Sequence, residues 1–304
     1  MSAPYDQALA GGPPASGHWL RTRDGVRIRA ALWRGGARGL VVVLPGWTEY
    51  VEKYGVLAGD LVAAGFSVVS VDWRGQGLSD RALSDPMRSH VGDFDEYQRD
   101  LDAVMELASD IPGPRYLLAH SMGGCIGLRA LVRGLPFARV AFSSPMWGVP
   151  VAAWQRPLAM VLPKVAGRLG IADWLAPGTA RQNVVAQGVF KANRLTSDPS
   201  EWARMVGQAR SRPEFALGGP SIAFAGAALR ECAALETLPS PPVPCLTGMG
   251  TDERVVDPRP IPARMARWPG GVLHVAEGGR HEILMERPEL RAAFLARVLG
   301  HFGG

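Results

Sequence analysis

The chain has 304 residues, 47% hydrophobic and 20% charged, a balance that suits a large globular protein and excludes intrinsic disorder. Its net charge of +5 rests on thirty arginines and three lysines scattered among 28 acids, without the clustered basic face of a nucleic-acid binder. Cys125, Cys232 and Cys245 lack disulfide-framework and zinc-site spacing, so a reducing cytoplasm is expected, and no apolar run reaches the ~20 residues of a bilayer span. Residues 1–17 lack the basic start and apolar stretch of a secretory signal and read as a flexible leader. The alternation HWLRTRDGVRIRAALWR (18–34), broken at Asp24-Gly25, predicts an antiparallel hairpin. Short apolar strands follow at 39–46, 66–72, 115–120, 138–145, 244–250 and 271–279, with helical patterns at 54–65, 93–110, after Ser121 and at 288–302. Near-continuous apolar strands between helices predict a doubly wound, mostly parallel α/β sheet covered on both faces.

The interval 149–225 breaks this rhythm, with helical patterns, several Pro and Gly residues and no strand. It is expected to be an insertion over a core formed by residues 18–148 and 226–304. Nine basic and four acidic residues lie in it, so it carries as much net charge as the whole chain. The plain reading is a solvated helical face; the sharper one is transient contact with an anionic membrane surface.

Within LLAHSMGGCIG (117–127) a lone serine interrupts an apolar run, and a buried hydroxyl needs a reason. Strand, sharp turn with serine, then helix is the setting of a nucleophile elbow, in which the positions two before and two after must be small. Ala119 and Gly123 meet that need, although glycine is usual at the first. The alternative is that Ser121 merely caps the next helix. A serine hydroxyl needs a base to attack at neutral pH. His281, in the loop after the last strand, is placed to be that base, whereas His274 lies in mid-strand. An acid must orient the base. MGTDERVVDP, after the preceding strand, offers Glu253 or Asp252, while Asp257 reads as a cap ahead of Pro258. A developing oxyanion needs preorganised N–H donors, for which the backbone amides of Met122 and Trp47 are the candidates. The order serine, acid, histidine, with the oxyanion loop upstream, is that of α/β-hydrolases.

From about residue 18 to its C-terminus the chain resembles the monoacylglycerol lipase and bacterial lysophospholipase branch of serine α/β-hydrolases. PGWTEYVEKYG (45–55), VDWRGQGLSDR (71–81), HVGDFDEYQRDLDAV (90–104), LAHSMGGCIG (118–127), TDERVVDP (251–258) and GGRHEILMERPEL (278–290) carry the likeness, with ANRLTSDPSEW and ALGGPSIAF in the insertion. The resemblance implies ester hydrolysis through an acyl-serine beneath an apolar helical cap, with no metal or organic cofactor. By motif, Ser121 is the nucleophile, His281 the base, Glu253 or Asp252 the acid, and Trp47 and Met122 the oxyanion donors. Pro45-Gly46 stands where monoacylglycerol lipases usually have His-Gly, which tilts the reading toward lysophospholipases. Trp154, Leu158, Met160, Val161, Leu162 and Trp174 are expected to shelter a medium or long acyl chain. Small-ester or lactone hydrolysis, acyl transfer and a non-catalytic binding protein are the alternatives. Arg74, Gly75 and Gly77 read as turn-shaping and His90 as structural.

Overall fold

The computed structural model describes residues 1–304 apart from the side chain of Ala153. Its first half contains α1 (Gln7–Ala10), β1 (Ser16–Arg21), β2 (Arg27–Trp33), β3 (Leu40–Leu44), α2 (Gly55–Ala63), β4 (Ser67–Asp72), α3 (Asp95–Leu107), β5 (Arg115–His120), α4 (Met122–Val132) and β6 (Arg139–Ser143). There follow α5 (Arg156–Arg168), α6 (Val184–Gln187), α7 (Pro199–Ser211), α8 (Ile222–Thr237), β7 (Cys245–Gly250), α9 (Pro260–Met265), β8 (Val272–Ala276) and α10 (Pro288–Gly303). One eight-stranded sheet runs in the order β1-β2-β4-β3-β5-β6-β7-β8. The hairpin pairs antiparallel, β2 pairs antiparallel with β4, and every other pairing is parallel. The central strands are apolar on both sides because both faces are covered: all of β3 is buried. Leu101 of α3, Ile126 of α4, Phe224 of α8 and Ile261 of α9 pack on one face. On the other face pack Leu57 and Leu61 of α2, Phe294 and Val298 of α10, and Trp202 and Met205 of α7.

Three expectations need correction. The leader is not loose in this structure. Asp6 caps α1 through Leu9 N (3.0 Å), Ala10 is fully buried, Ala3 N donates to Gly17 O (2.9 Å), and Arg212 Nε pairs with Asp6 (2.9 Å). Small apolar side chains and a capping aspartate let a Gly/Pro-rich segment lie against the core. Second, α8 runs through the boundary drawn at 225. Its apolar face continues past that point, with Ala227, Ala228, Cys232 and Leu235 buried in the core. Third, Trp154, Leu158, Met160, Val161 and Trp174 face solvent and Leu162 is half-buried; none of them lines the central cavity. The reason is the seat of α5: it lies against α8, where a Cβ on Gly226 would collide with Pro163, so its outer stripe points away from the core. Among the described residues no helix is long and apolar enough to cross a membrane.

Candidate active site

Ser121 sits at the C-terminal end of β5, one residue before α4, with φ 50° and ψ −118°. A non-glycine residue at positive φ is strained by about 1–3 kcal/mol, so the surroundings must hold it there. They do so from both sides: Ser121 N donates to Ser143 O (3.1 Å), and its carbonyl accepts from Gly124 N (2.9 Å) and Met146 N (2.8 Å). A side chain at Gly123 would strike the Leu44 carbonyl, which explains the glycine two positions after the serine. Ala119 is tolerated two positions before, because its methyl is not crowded: even a Cβ on Gly127 opposite would stand 3.5 Å from it, an ordinary contact. Ser121 makes no helix-capping hydrogen bond with its side chain, so capping does not explain it.

His281, in the loop between β8 and α10, lines the same cavity as Ser121. Its Nδ1 lies 2.7 Å from Glu253 Oε2, with both side chains buried. Glu253 Oε1 accepts from Val255 N (2.7 Å) and Val256 N (3.2 Å), which fixes the carboxylate. Burial alone would raise the Glu253 carboxyl; the imidazole and the two amide donors outweigh it and hold the carboxyl below its ordinary value. Asp252 turns elsewhere, to Arg254 Nε (2.7 Å) and toward Arg280 (3.6 Å). Asp257 caps its own turn, accepting from Arg259 N at 3.1 Å. No hydrogen bond joins Ser121 Oγ to His281 Nε2 among the described residues; in unliganded sites such bonds are often long and tighten with substrate.

The loop after β3 supplies the second candidate amide. A Cβ on Gly46 would lie 3.1 Å from Ser121 Cβ, so any side chain there would crowd the serine, and glycine keeps the approach close. Gly46 N is taken by Glu49 and Thr48 N by Gln76, whereas Trp47 N between them meets no protein acceptor among the described residues. Met122 N, at the start of α4, is likewise free. The Trp47 indole is occupied separately, donating to Ser89 Oγ (2.7 Å) and lying 5.9 Å from Phe224. His90, Arg74 and His274 take structural places: His90 meets Ser221 Oγ at 3.0 Å, Arg74 pairs with Asp24, Glu96 and Asp100, and His274 stacks on Phe294.

These groups open into a cavity of about 610 Å³. Its apolar wall comes from Val184, Val185, Trp202, Met205, Phe215 and Leu217, on α6, α7 and the turn after α7. The sequence reading missed this wall, because the apolar spacing of α7 is the same whether a helix faces core or ligand. It also missed a buried set of charges, Glu49, Lys53, His120 and Glu282, two of which directly neighbour a candidate catalytic residue. The available signal was charge placed beside each motif in otherwise apolar sequence.

Residues 35–288 match the family described as Serine aminopeptidase, S33. The chain belongs to this family. It is 33% identical over 277 residues to the lysophospholipase L2 of Escherichia coli K12, covering 86% of this chain and 80% of that protein. To the human monoglyceride lipase it is 27% identical over 286 residues, covering 89% and 85%. Among solved structures, a monoglyceride lipase from Saccharomyces cerevisiae superposes with a TM-score of 0.75 at 20% identity, covering 99% of this chain and 98% of that one. This likeness shows the α/β-hydrolase fold, which the mostly parallel sheet and the elbow after β5 bear out.

Proposed function

We propose that this α/β-hydrolase cleaves carboxylic esters that carry one medium or long acyl chain, with lysophospholipids as the preferred class. One observation carries the reading: a strained serine, a carboxylate-held imidazole and Trp47, whose amide is unengaged, line one cavity with an apolar wall, and the unengaged amide of Met122 directly follows the serine. In the proposed mechanism His281 Nε2 takes the proton of Ser121 Oγ as that oxygen attacks the ester carbonyl. The amides of Trp47 and Met122 receive the oxyanion, and Glu253 stabilises the imidazolium through Nδ1. The imidazolium returns its proton to the leaving alkoxide. Water, activated by the same imidazole, then hydrolyses the acyl-serine. Each methylene buried against the apolar wall is worth about 0.8 kcal/mol, which favours longer chains until the wall is filled.

The head group is argued from charge. Of the charged residues that line the cavity, Glu49, Lys53 and Glu282 pair with one another and His281 pairs with Glu253. Arg194 is exposed, lines the same cavity and has no ion pair among the described residues. A free guanidinium is matched by a phosphate and not by a neutral glycerol. The names of the relatives, lysophospholipase and monoglyceride lipase, support the same two substrate classes. We further propose that the segment from about residue 149 to the start of α8 at Ile222 acts as the cap and that its exposed α5 stripe meets an anionic lipid surface.

The test is hydrolysis of p-nitrophenyl esters from acetate to palmitate by wild type and Ser121→Ala, with an aminoacyl-nitroanilide as the peptidase control. Rates that rise with chain length and vanish in Ser121→Ala are expected. Activity confined to acetate would remove the lipid assignment, and nitroanilide turnover above ester turnover would replace it.

A further inference from the structure

We infer that Glu49, Lys53, His120 and Glu282 form a buried ion cluster that clamps the three candidate catalytic loops together and sets the charge balance around His281. This rests on the roles proposed above for Ser121 and His281. Glu49 lies two residues beyond Trp47, His120 immediately precedes Ser121, and Glu282 immediately follows His281. The loop after β3 thus contributes two members, Glu49 and Lys53, the other two loops contribute one each, and the contacts close between loops. Lys53 Nζ donates to Glu282 Oε1 (2.6 Å) and also to Glu49, whose other oxygen accepts from Gly46 N and the Tyr54 hydroxyl. His120 Nε2 stands 3.3 Å from Glu282 Oε2, while its Nδ1 stands 3.0 Å from Ser143 O. All four residues are buried, with at most 6% of their surface exposed.

An imidazole with an acceptor at each nitrogen is satisfied on both sides only as imidazolium. The cluster then holds two carboxylates against an ammonium and an imidazolium, and it is neutral. The surroundings agree. Burial opposes the charged forms of His120 and Lys53, yet the two glutamates outweigh it and raise both groups; His120 and Lys53 in turn hold Glu282 well below its ordinary value despite burial. Glu49, His120 and Glu282 could by geometry surround a cation, but the Lys53 ammonium already contacts both carboxylates. The ring of His120 lies 4.7 Å from that of His281, so any imbalance in the cluster is felt at the base.

The charged and titratable groups facing His281 are Glu253 from the loop after β7, His120 from the elbow, Glu49 and Lys53 from the loop after β3, and Glu282 in its own loop. Arg194 lines the same cavity, and Arg280, next to His281 in sequence, turns to the carbonyls of Asn193 (3.1 Å) and Thr196 (2.9 Å). Removing one charge of the cluster leaves the opposite charge uncompensated beside the base. Lys53→Met leaves excess negative charge, which favours the imidazolium of His281, so the acid limb of kcat/KM moves to higher pH. Glu282→Gln leaves excess positive charge and moves that limb to lower pH. Each displacement should be roughly one pH unit at the effective dielectric of a protein site.

The experiment is the pH profile of kcat/KM on p-nitrophenyl butyrate, a substrate that does not titrate, with active sites counted by a fluorophosphonate. Wild type, Lys53→Met, Glu282→Gln, Lys53→Arg and the double Lys53→Met/Glu282→Gln are compared. Opposite displacements in the two single variants are expected, with Lys53→Arg and the double variant returning toward the wild-type limb. A merely structural cluster would reduce the count of active sites and leave every limb in place, and that result overturns the inference. Displacements in the same direction overturn it too. If Lys53→Met does not fold, a double variant whose limb coincides with that of Glu282→Gln overturns it. A wild type without esterase activity removes the catalytic reading as well.

Discussion

Glu253 and Asp252 are adjacent in sequence, and from sequence alone either could orient His281. Geometry separates them through the turn itself: the amides of Val255 and Val256 hold Glu253 toward the imidazole, while Asp252 is turned out onto arginines. Glu253→Gln keeps the shape and removes the charge that stabilises imidazolium. It should lower kcat on p-nitrophenyl butyrate by roughly 10³–10⁴-fold, the scale seen when such an acid is lost. Asp252→Asn should leave kcat about unchanged. A comparable loss in both variants would mean that the loop as a unit, and not one carboxylate, supports the base. That Ser121 and His281 would come to one cavity was legible in the sequence, because each occupies a position fixed by the strand order. The acid was not, since one residue of register in a loop leaves no trace in hydrophobic pattern.

The strands were legible in place and order: RYLLAH (115–120) is β5 itself and the late helix at 288–302 is α10, while the expected spans of β3, β6 and β8 overran their C-terminal ends by two or three residues. Doubly covered strands must be apolar throughout, so their limits are written in composition. The connections between helices of the insertion carry no such rule, and here the sequence reading put the apolar wall on the wrong segment. The loop between α6 and α7 illustrates why. Asn193 accepts from Leu195 N (2.8 Å) and Thr196 N (3.0 Å), and Glu282 N donates to Leu195 O (2.8 Å), so the loop is tied to the residue beside His281. Such long-range contacts leave no local pattern, yet they fix Arg194 at the cavity. With the loop held elsewhere, Arg194→Gln should test the guanidinium alone. Hydrolysis of a lysophospholipid should fall roughly tenfold or more in kcat/KM, as expected for a hydrogen bond to a charged group. A monoacylglycerol of the same chain length should be cleaved about as before. Equal losses on both would show that Arg194 shapes the pocket without reading the phosphate.

The distribution of exposed side chains sets one end of the protein apart. Leu158, Val161, Val165 and Leu169 recur every three or four residues along the outer face of α5 and beyond it, each more than 40% exposed, with Trp154 and Trp174 nearby at 79% and 57%. Arg156, Lys164 and Arg168 belong to the same helix and stay in water. An apolar stripe flanked by cations suits the boundary between acyl chains and anionic head groups, and a water-facing helix gains nothing from it. The stripe on α5 and the apolar wall of the candidate cavity on α6 and α7 belong to the same insertion, so docking through the stripe would place that insertion at the lipid surface. Burying one such side chain contributes about 1.5–3 kcal/mol, which makes a double Leu158→Glu/Val161→Glu variant a severe test. Its sedimentation with vesicles rich in anionic phospholipid should fall by at least roughly a hundredfold, while turnover of dissolved p-nitrophenyl butyrate stays close to wild type. High salt should weaken wild-type binding only in part, because the cations are screened and the apolar contact is not. Vesicle binding that survives the double variant but disappears in salt would transfer the contact from the stripe to the basic surplus of the insertion.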